Sequence, residues 1–545
     1  MTGNSASAPG RHDGPPLAGT LVSRPDIARL AGVKRPAVTN WERRYPDYPA
    51  PVGGDPALFR ADEVLAWLAH RTIPANALLP DEPVGTTYGD RFRAGLPGGV
   101  AGGLLRAVER LAGPEADRLR GPTPLDRYLF CLLRLVTIRV LEGTDGLSRL
   151  VHGDAGAGQE YGALAKDVPR SLASELAHAL AGVPAASDDE AQAAFDHVLA
   201  LWSAAYAREG GAFLTPPSVS RIMTGALAAV CPGAVSVHDP YARTGELLVA
   251  YLDAVAPHGG AETVCFGGQV PEDTQRQVAE WNLRVHHRRK VRLGTGTVTP
   301  ALDPHGLRGA LDVLLTNPPF GRIPEYVAPP PYWKYGTARR TEFDWLQYAV
   351  SLLAPDGRAA VLMPAGASSN TGAAETVRAG LVEAGAVECV IALPAGLFAL
   401  TAVKTQIWFL RAPGSGGSPA PDVLFVAGEH LGHQVTRTQW ALSEDDIAAL
   451  VGQYVSWHRA SVAGQGFEGA QGLSRAVPVR AVVEQGNSLD PQRYVPSFGA
   501  ASAVRTGPDE IRERLARLSD EIAALRTQAA EADAEVARQL RRYGL

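Results

Sequence analysis

The chain has 545 residues, 46% of them hydrophobic and 20% charged, with a formal net charge of -5. That is enough for roughly three or four domains with sizeable cores, and the mildly acidic balance excludes a uniformly basic nucleic-acid binder, so any such surface must be local. The four cysteines, Cys131, Cys231, Cys265 and Cys389, are scattered with no CxxC pair; this excludes a disulfide framework and predicts free, mostly buried thiols in a reducing compartment, the cytoplasm, while no run is long and apolar enough to span a membrane.

Residues 1–19 are rich in Gly, Pro and Ser without an apolar core, and read as a disordered tail rather than a signal peptide. Residues 20–71 read as a small unit. Ser23 caps a helix with Pro25 early in it, Gly32-Val33 makes a turn, and a second helix runs from Arg35 to Arg44. Tyr45 to Pro51 is expected as a short hairpin or wing, with a last helix over Ala61–His70. The tight Ala-Gly-Val turn allows the close helix approach of a helix-turn-helix. The second helix then exposes Arg35, Thr39, Asn40, Arg43 and Arg44, suited to phosphates or base edges. This unit resembles the winged helix-turn-helix of the MerR and excisionase type; the competing reading is a small helical domain used for protein contacts.

Residues 72–100 are rich in Pro and Gly and read as a linker. Residues 101–208 read as helical support, with apolar patterns over Leu125–Leu141 and Ala191–Tyr206 and no catalytic group. From 209 to 411 strands alternate with helices, the signature of α/β layers. Val235–His238 is followed by a tight loop, Asp239 to Gly245, and a helix, which is the first unit of a doubly wound sheet. Further strands are read at Thr263–Gly267, Leu311–Thr316, Arg358–Pro364, Glu388–Pro394 and Thr405–Leu410.

The strand Leu311–Thr316 stops at Asn317-Pro318-Pro319-Phe320. Proline cannot donate to a ladder and restricts the residue before it, which holds Asn317 extended at the strand's carboxyl end, where open α/β sheets bind ligands. The chemistry this tip suits is amine methylation. An amide oxygen on Asn317 and the carbonyl of Pro318 accept the two hydrogens of an aryl amine and leave its lone pair facing an electrophilic methyl. Phe320 stacks on the base, which must leave its duplex to get there. The plain reading of the same residues is a strand followed by a proline turn.

Five motifs occur in one order: Phe213-Leu214-Thr215-Pro216, Asp239-Pro240…Thr244-Gly245, Asn317-Pro318-Pro319-Phe320-Gly321, Phe343…Leu346-Gln347…Asp356-Gly357-Arg358 and Leu393-Pro394…Leu397-Phe398. Together they resemble the N6-adenine DNA methyltransferases similar to the modification subunit of type I restriction systems, over about residues 101–500. The resemblance implies a Rossmann-like methyltransferase sheet, S-adenosylmethionine as methyl donor, and adenine in DNA as acceptor. It places Phe213, Thr215 and Pro216 at the donor's methionine end, Asp239, Thr244, Gly245 and Glu246 in the loop around it, and Asn317, Pro318, Pro319 and Phe320 on the adenine. It also implies a restriction-modification or phage-defence setting. Three departures from the family stand out: in the loop Arg243 stands for the first glycine and Glu246 for the last, Val270 stands for the acid after the second strand, and Gly294–Thr297 lacks an acid. These departures sustain an alternative, a non-catalytic DNA-binding or regulatory protein on a degenerate methyltransferase scaffold.

Arg322, Lys334, Arg339 and Arg340 follow the tip, interleaved with Tyr326, Tyr332, Trp333 and Tyr335, a mixture suited to a flipped-base substrate, though also to an ordinary surface loop. The run His286–Lys290 reads either as a basic patch or as a solvated face. No His/Cys/Asp cluster has metal-ligand spacing. Residues 412–507 form a C-terminal extension. In 508–545, Ile511, Leu515, Leu518, Ile522, Leu525, Ala529, Ala532 and Val536 alternate steps of four and three, a coiled-coil seam. The seam predicts a partner helix, from a specificity subunit or a second copy.

Overall fold

A computed structural model of the chain describes residues 21–496 apart from 53–56, 75–76, 79–84, 96–102, 153–167, 184–186, 209–213, 260–263, 290–292, 297–299, 301–305, 322–328, 339, 399–402, 415–421 and 437–438, and beyond these only Ser519 and Ala523. The chain divides into two compact units, Met1–Leu214 with Glu280–Lys290, and Thr215–Ala279 with Val291–Leu545.

In the first unit β1 (Leu21–Ser23) leads into α1 (Arg24–Leu30). Ser23 donates from its amide and hydroxyl to Asp26, at 3.1 and 2.5 Å, which satisfies an otherwise open helix start. Gly32, at φ +66, turns the chain into α2 (Arg35–Arg44). β2 (Leu58–Arg60) pairs antiparallel with β1, and α3 (Ala61–Leu68) follows. The ribbon is thus built from residues 21–23 and 58–60, not from a hairpin over 45–51, where Pro46, Pro49 and Pro51 have no N–H to give a ladder. Residues 72–100 are more than a linker. Thr72 bridges Thr87, α4 (Tyr88–Gly95) packs back, and Phe92 is fully buried with Ile27, Val38, Phe59 and Leu68. The rest of this unit is helical: α5 (Leu104–Ala112), α6 (Ala116–Arg120), α7 (Leu125–His152, kinked at Gly143), α8 (Arg170–Ala181) and α9 (Asp188–Arg208).

The second unit runs α10 (Pro217–Val230), β3 (Ser236–Asp239), α11 (Glu246–Val255), β4 (Cys265–Val270), α12 (Asp273–His287, which from Glu280 onward belongs to the first unit), β5 (Gly294–Thr295), β6 (Leu311–Thr316), α13 (Thr341–Leu352), β7 (Leu353–Pro364), α14 (Ala373–Glu383), β8 (Val387–Ala392), β9 (Thr405–Arg411), β10 (Asp422–Ala427), β11 (His433–Gln434), β12 (Trp440–Ala441), α15 (Glu444–Val462), β13 (Ser474–Pro478) and α16 (Val479–Glu484). Nine strands form one sheet in the order β13-β10-β8-β9-β7-β6-β3-β4-β5. β9 runs antiparallel between β7 and β8, and β13 antiparallel at the edge; the other neighbours are parallel. Helices on both faces bury the central strands, so β6 reads as a continuous apolar run, with Val313, Leu314 and Leu315 all fully buried.

The layer expected to end at 411 therefore continues through β13, and much of the 412–507 extension belongs to the sheet. The coiled-coil seam of 508–545 lies outside the described residues. The four cysteines are free; Cys131 and Cys389 are buried, Cys231 is half-buried and Cys265, expected inside, is exposed. Among the described residues no helix is long and apolar enough to cross a membrane.

Candidate active site

From β3 the chain moves outward to β4 and β5, then returns to place β6 on β3's other side. That reversal opens a crevice at the carboxyl ends of β3 and β6, which carry Asp239 and Asn317. The sequence brings both there because each strand ends against proline, Pro240 and Pro318.

On the β6 side Asn317 and Pro318 are buried, whereas Pro319 and Phe320 reach solvent, Phe320 at 36% exposure. The tip is braced from the start of α13. The Thr341 hydroxyl donates to the Pro319 carbonyl at 2.9 Å and the Thr341 amide to the Gly321 carbonyl at 3.0 Å. The Gly321 amide donates to Glu342 at 3.3 Å; Glu342 is fully buried and takes a second bond from Arg340 Nε at 2.5 Å. Arg340, expected to face DNA, thus has a bracing task, and Lys334 is exposed. Neither Thr341 nor Glu342 belongs to a motif, and no sequence signal singled them out.

On the β3 side the Asp239 carboxylate accepts the Tyr241 amide at 2.9 Å, and the Ala242 amide donates to the Gln269 carbonyl at 2.8 Å. Gly268 permits this closeness, because a Cβ there would lie 2.9 Å from the Asp239 carbonyl oxygen. Gly245, at φ +73, ends the loop and starts α11. Burial pushes the Asp239 carboxyl up to about 7, helped by the neighbouring Glu246 charge.

A chain of hydrogen bonds joins the two sides. Glu246 accepts the Thr215 amide at 3.2 Å, the Thr215 hydroxyl at 3.0 Å and the Thr244 hydroxyl at 2.8 Å. A carboxylate only accepts, so the Thr215 proton points at Glu246 and only lone pairs remain for Asn317. Asn317 Nδ2 accordingly donates to Thr215 Oγ1 at 3.1 Å. With its NH2 committed to Thr215, Asn317 presents Oδ1 as the free acceptor. Thr215, Thr244 and Glu246, expected on the donor, thus also fix one another and the acceptor amide.

Arg243 occupies the loop between the two sides. It is 5% exposed, adopts φ +43, and donates through Nη2 to the Asn317 carbonyl at 2.5 Å. Its Nη1 lies 3.9 Å from Glu246. Val270 is fully buried in the β4–β5 pairing opposite Thr295, so the end of β4 offers no carboxylate at the position where the family pattern has one. S-adenosylmethionine is the donor the family implies, and the residues fit its amino-acid end: Asp239, the Gly245 turn and the α11 N-terminus. Arg243 stands where the loop pattern has glycine.

Phe213, Arg322 and Arg339 lie outside the described residues; Pro216 is half-buried at the start of α10. In the first unit Arg35, Thr39, Asn40, Arg43 and Arg44 are all exposed on α2. A cavity of about 580 Å³ is lined by Ser23, Arg24, Arg35, Thr39, Asn40 and Ala57, with Arg24 held by both oxygens of Glu42 at 2.8 Å. In the basic run, His286 pairs with Asp196 and Arg288 with Asp188, both at 2.9 Å, which fits a salt-bridged face. Among the described residues no group of three or more His, Cys, Asp or Glu is placed to hold a metal.

The family model for N-6 DNA methylases matches residues 186–501. The chain is 25% identical over 356 residues to the type I restriction enzyme HindI methylase subunit of Haemophilus influenzae, covering 64% of this chain and 76% of that one. It is 24% identical to the MjaIX methylase subunit of Methanocaldococcus jannaschii, covering 62% and 61%. The solved methyltransferase subunit of the type I restriction-modification system from Streptococcus thermophilus superposes with a TM-score of 0.53 at 20% identity, over 71% of this chain and 84% of that one, a likeness of fold. With the family model spanning more than half of its length and the crevice residues in family order, the chain belongs to the N-6 DNA methylase family.

Proposed function

We propose that the chain transfers a methyl group from S-adenosylmethionine to N6 of adenine in DNA, as the modification subunit of a restriction-modification system. Family membership favours this enzymatic reading over a scaffold without donor. The observation that carries the chemistry is the Glu246–Thr215–Asn317 chain, in which Asn317 Nδ2 donates to Thr215 and Oδ1 is left as the amide's acceptor.

S-adenosylmethionine supplies the electrophilic methyl. The chain's own residues hold the acceptor. Asn317 Oδ1 and the Pro318 carbonyl take the two amine hydrogens, which draws the nitrogen lone pair out of conjugation with the purine. Proline at 318 has no N–H to compete for those acceptors. Phe320 stacks on the base taken out of its duplex. Thr341 and Glu342 keep the tip from shifting by the ångström that would spoil alignment.

Under this reading α2 docks on DNA. Arg35, Thr39 and Asn40 lie beside the cavity and face base edges, whereas Arg43 and Arg44, at the helix end, meet phosphates. Lys334, with Arg322 and Arg339, adds to the footprint near the tip. A specificity subunit or a second copy joins through the apolar seam read in the sequence of 508–545, in the cytoplasm. The test is radiolabel transfer from S-adenosylmethionine to duplex DNA by the purified chain with its genomic neighbours, followed by digestion to nucleosides. Label in N6-methyladenine supports the proposal, and label only in protein or in cytosine overturns it.

A further inference from the structure

Arg243 has no task in holding the amine, yet its side chain is 6% exposed and turned inward. The residue accepts φ +43, which suits glycine, and its guanidinium reaches the Asn317 carbonyl at 2.5 Å. It lies 5.2 Å from the centre of the Tyr241 ring and 3.9 Å from Glu246. Glu246 is already bonded to Thr215 and Thr244. Its charge is matched by Arg243.

Methyl transfer requires the reacting carbon within about 3–3.5 Å of the amine held by Asn317. A sulfonium presented at that distance would come within a few ångströms of the guanidinium. Glu246 offsets part of the guanidinium charge, and the remaining repulsion between two cations so close in a half-buried crevice reduces affinity by about tenfold. The thioether left after transfer is neutral and meets no such repulsion.

We propose that Arg243 is a charge gate that sets donor specificity: as folded, it fills the space beside Asn317 that the sulfonium must enter, so the crevice favours the neutral product over the cationic donor until the guanidinium swings aside. This rests on the methyltransferase reading of the site. The bond to the Asn317 carbonyl ties the gate to the base-holding tip, so movement of one is felt by the other.

The test is calorimetric titration of the full chain with S-adenosylmethionine and with S-adenosylhomocysteine, for wild type, Arg243→Gly and Arg243→Lys, each first shown to unfold cooperatively. The expected result is a product preference of at least about tenfold in wild type, kept in Arg243→Lys and reduced to about threefold or less in Arg243→Gly, chiefly through tighter donor binding. An equal preference in wild type and Arg243→Gly overturns the gate while leaving the methyltransferase reading in place. Failure of all three proteins to bind either nucleoside overturns both.

Discussion

The two sides of the crevice are built by different means. The acceptor tip has its backbone posed by the prolines that end β6 and pinned from the start of α13, the Pro319 carbonyl by the Thr341 hydroxyl and the Gly321 amide by the Glu342 carboxylate. The donor loop is held by side chains that neutralise one another: Arg243 with Glu246, Glu246 with Thr215 and Thr244. Side-chain-built sites change character with one residue, as when Arg243 stands in a position suited to glycine. The acceptor half keeps the Asn-Pro-Pro-Phe motif, and the donor half carries Arg243 where the loop pattern has glycine.

The comparison breaks most sharply at Asn317. Asn317→Ala is expected to lower single-turnover methylation by at least about a hundredfold, with S-adenosylhomocysteine affinity changed by less than about threefold. A variant that kept wild-type turnover would remove Asn317 from the chemistry. Glu246→Gln sharpens the contrast. Its amide can donate to Thr215 and release the Asn317 flip, so the maximal rate should fall by roughly tenfold to a hundredfold while the melting midpoint stays within a few degrees. An unchanged rate would break the link between the two sides.

A third test concerns carboxyls, one in each side. Burial raises Asp239 and Asp344 from the ordinary 3.8 to about 7, with Glu246 and Glu342 respectively adding repulsion. The folded protein then keeps protons that the unfolded chain has released. This stabilisation is complete below about pH 4 and is lost as pH rises through about 7. Asp344→Asn cannot ionise, so it should gain on the order of 1–2 kcal/mol relative to wild type at pH 8 and nothing at pH 4. Parallel melting curves across that range would contradict it. The smallest expected effect lies in the first unit. Arg43→Ala and Arg44→Ala should each weaken DNA binding severalfold across sequences and reduce the logarithmic salt slope by about one. Unchanged slopes would take α2 off the phosphates.

Much of the acceptor side was legible in the sequence because proline acts locally: Pro318 and Pro319 state where β6 stops and how Asn317 is posed. Order alone also gave most of the sheet's strands, but not β5 or β13. The hydrogen-bond chain was not legible, since Thr215, Glu246 and Asn317 are far apart in sequence and meet only when β3 and β6 become neighbours. Thr341 and Glu342 escaped for the same reason. The assignment of 72–100 as linker failed because its Pro and Gly content hid Phe92, a single aromatic that fills the core of the small unit. The expected hairpin at 45–51 failed because turn residues were counted without asking which had an N–H to pair.

The sheet's two ends say something about how this chain stays in solution. At one end β5 has two residues, and at the other the five-residue β13 closes on Pro478. Short or proline-ended borders give a passing strand little to pair with, the usual defence against aggregation. β10, just inside, has Val423, Leu424, Phe425 and Val426 fully buried. A chain cut before residue 474 would lay that strand bare. The shielded border thus makes the last part of the sheet a solubility element, and a shortened protein that keeps only the family motifs is expected to collect in inclusion bodies.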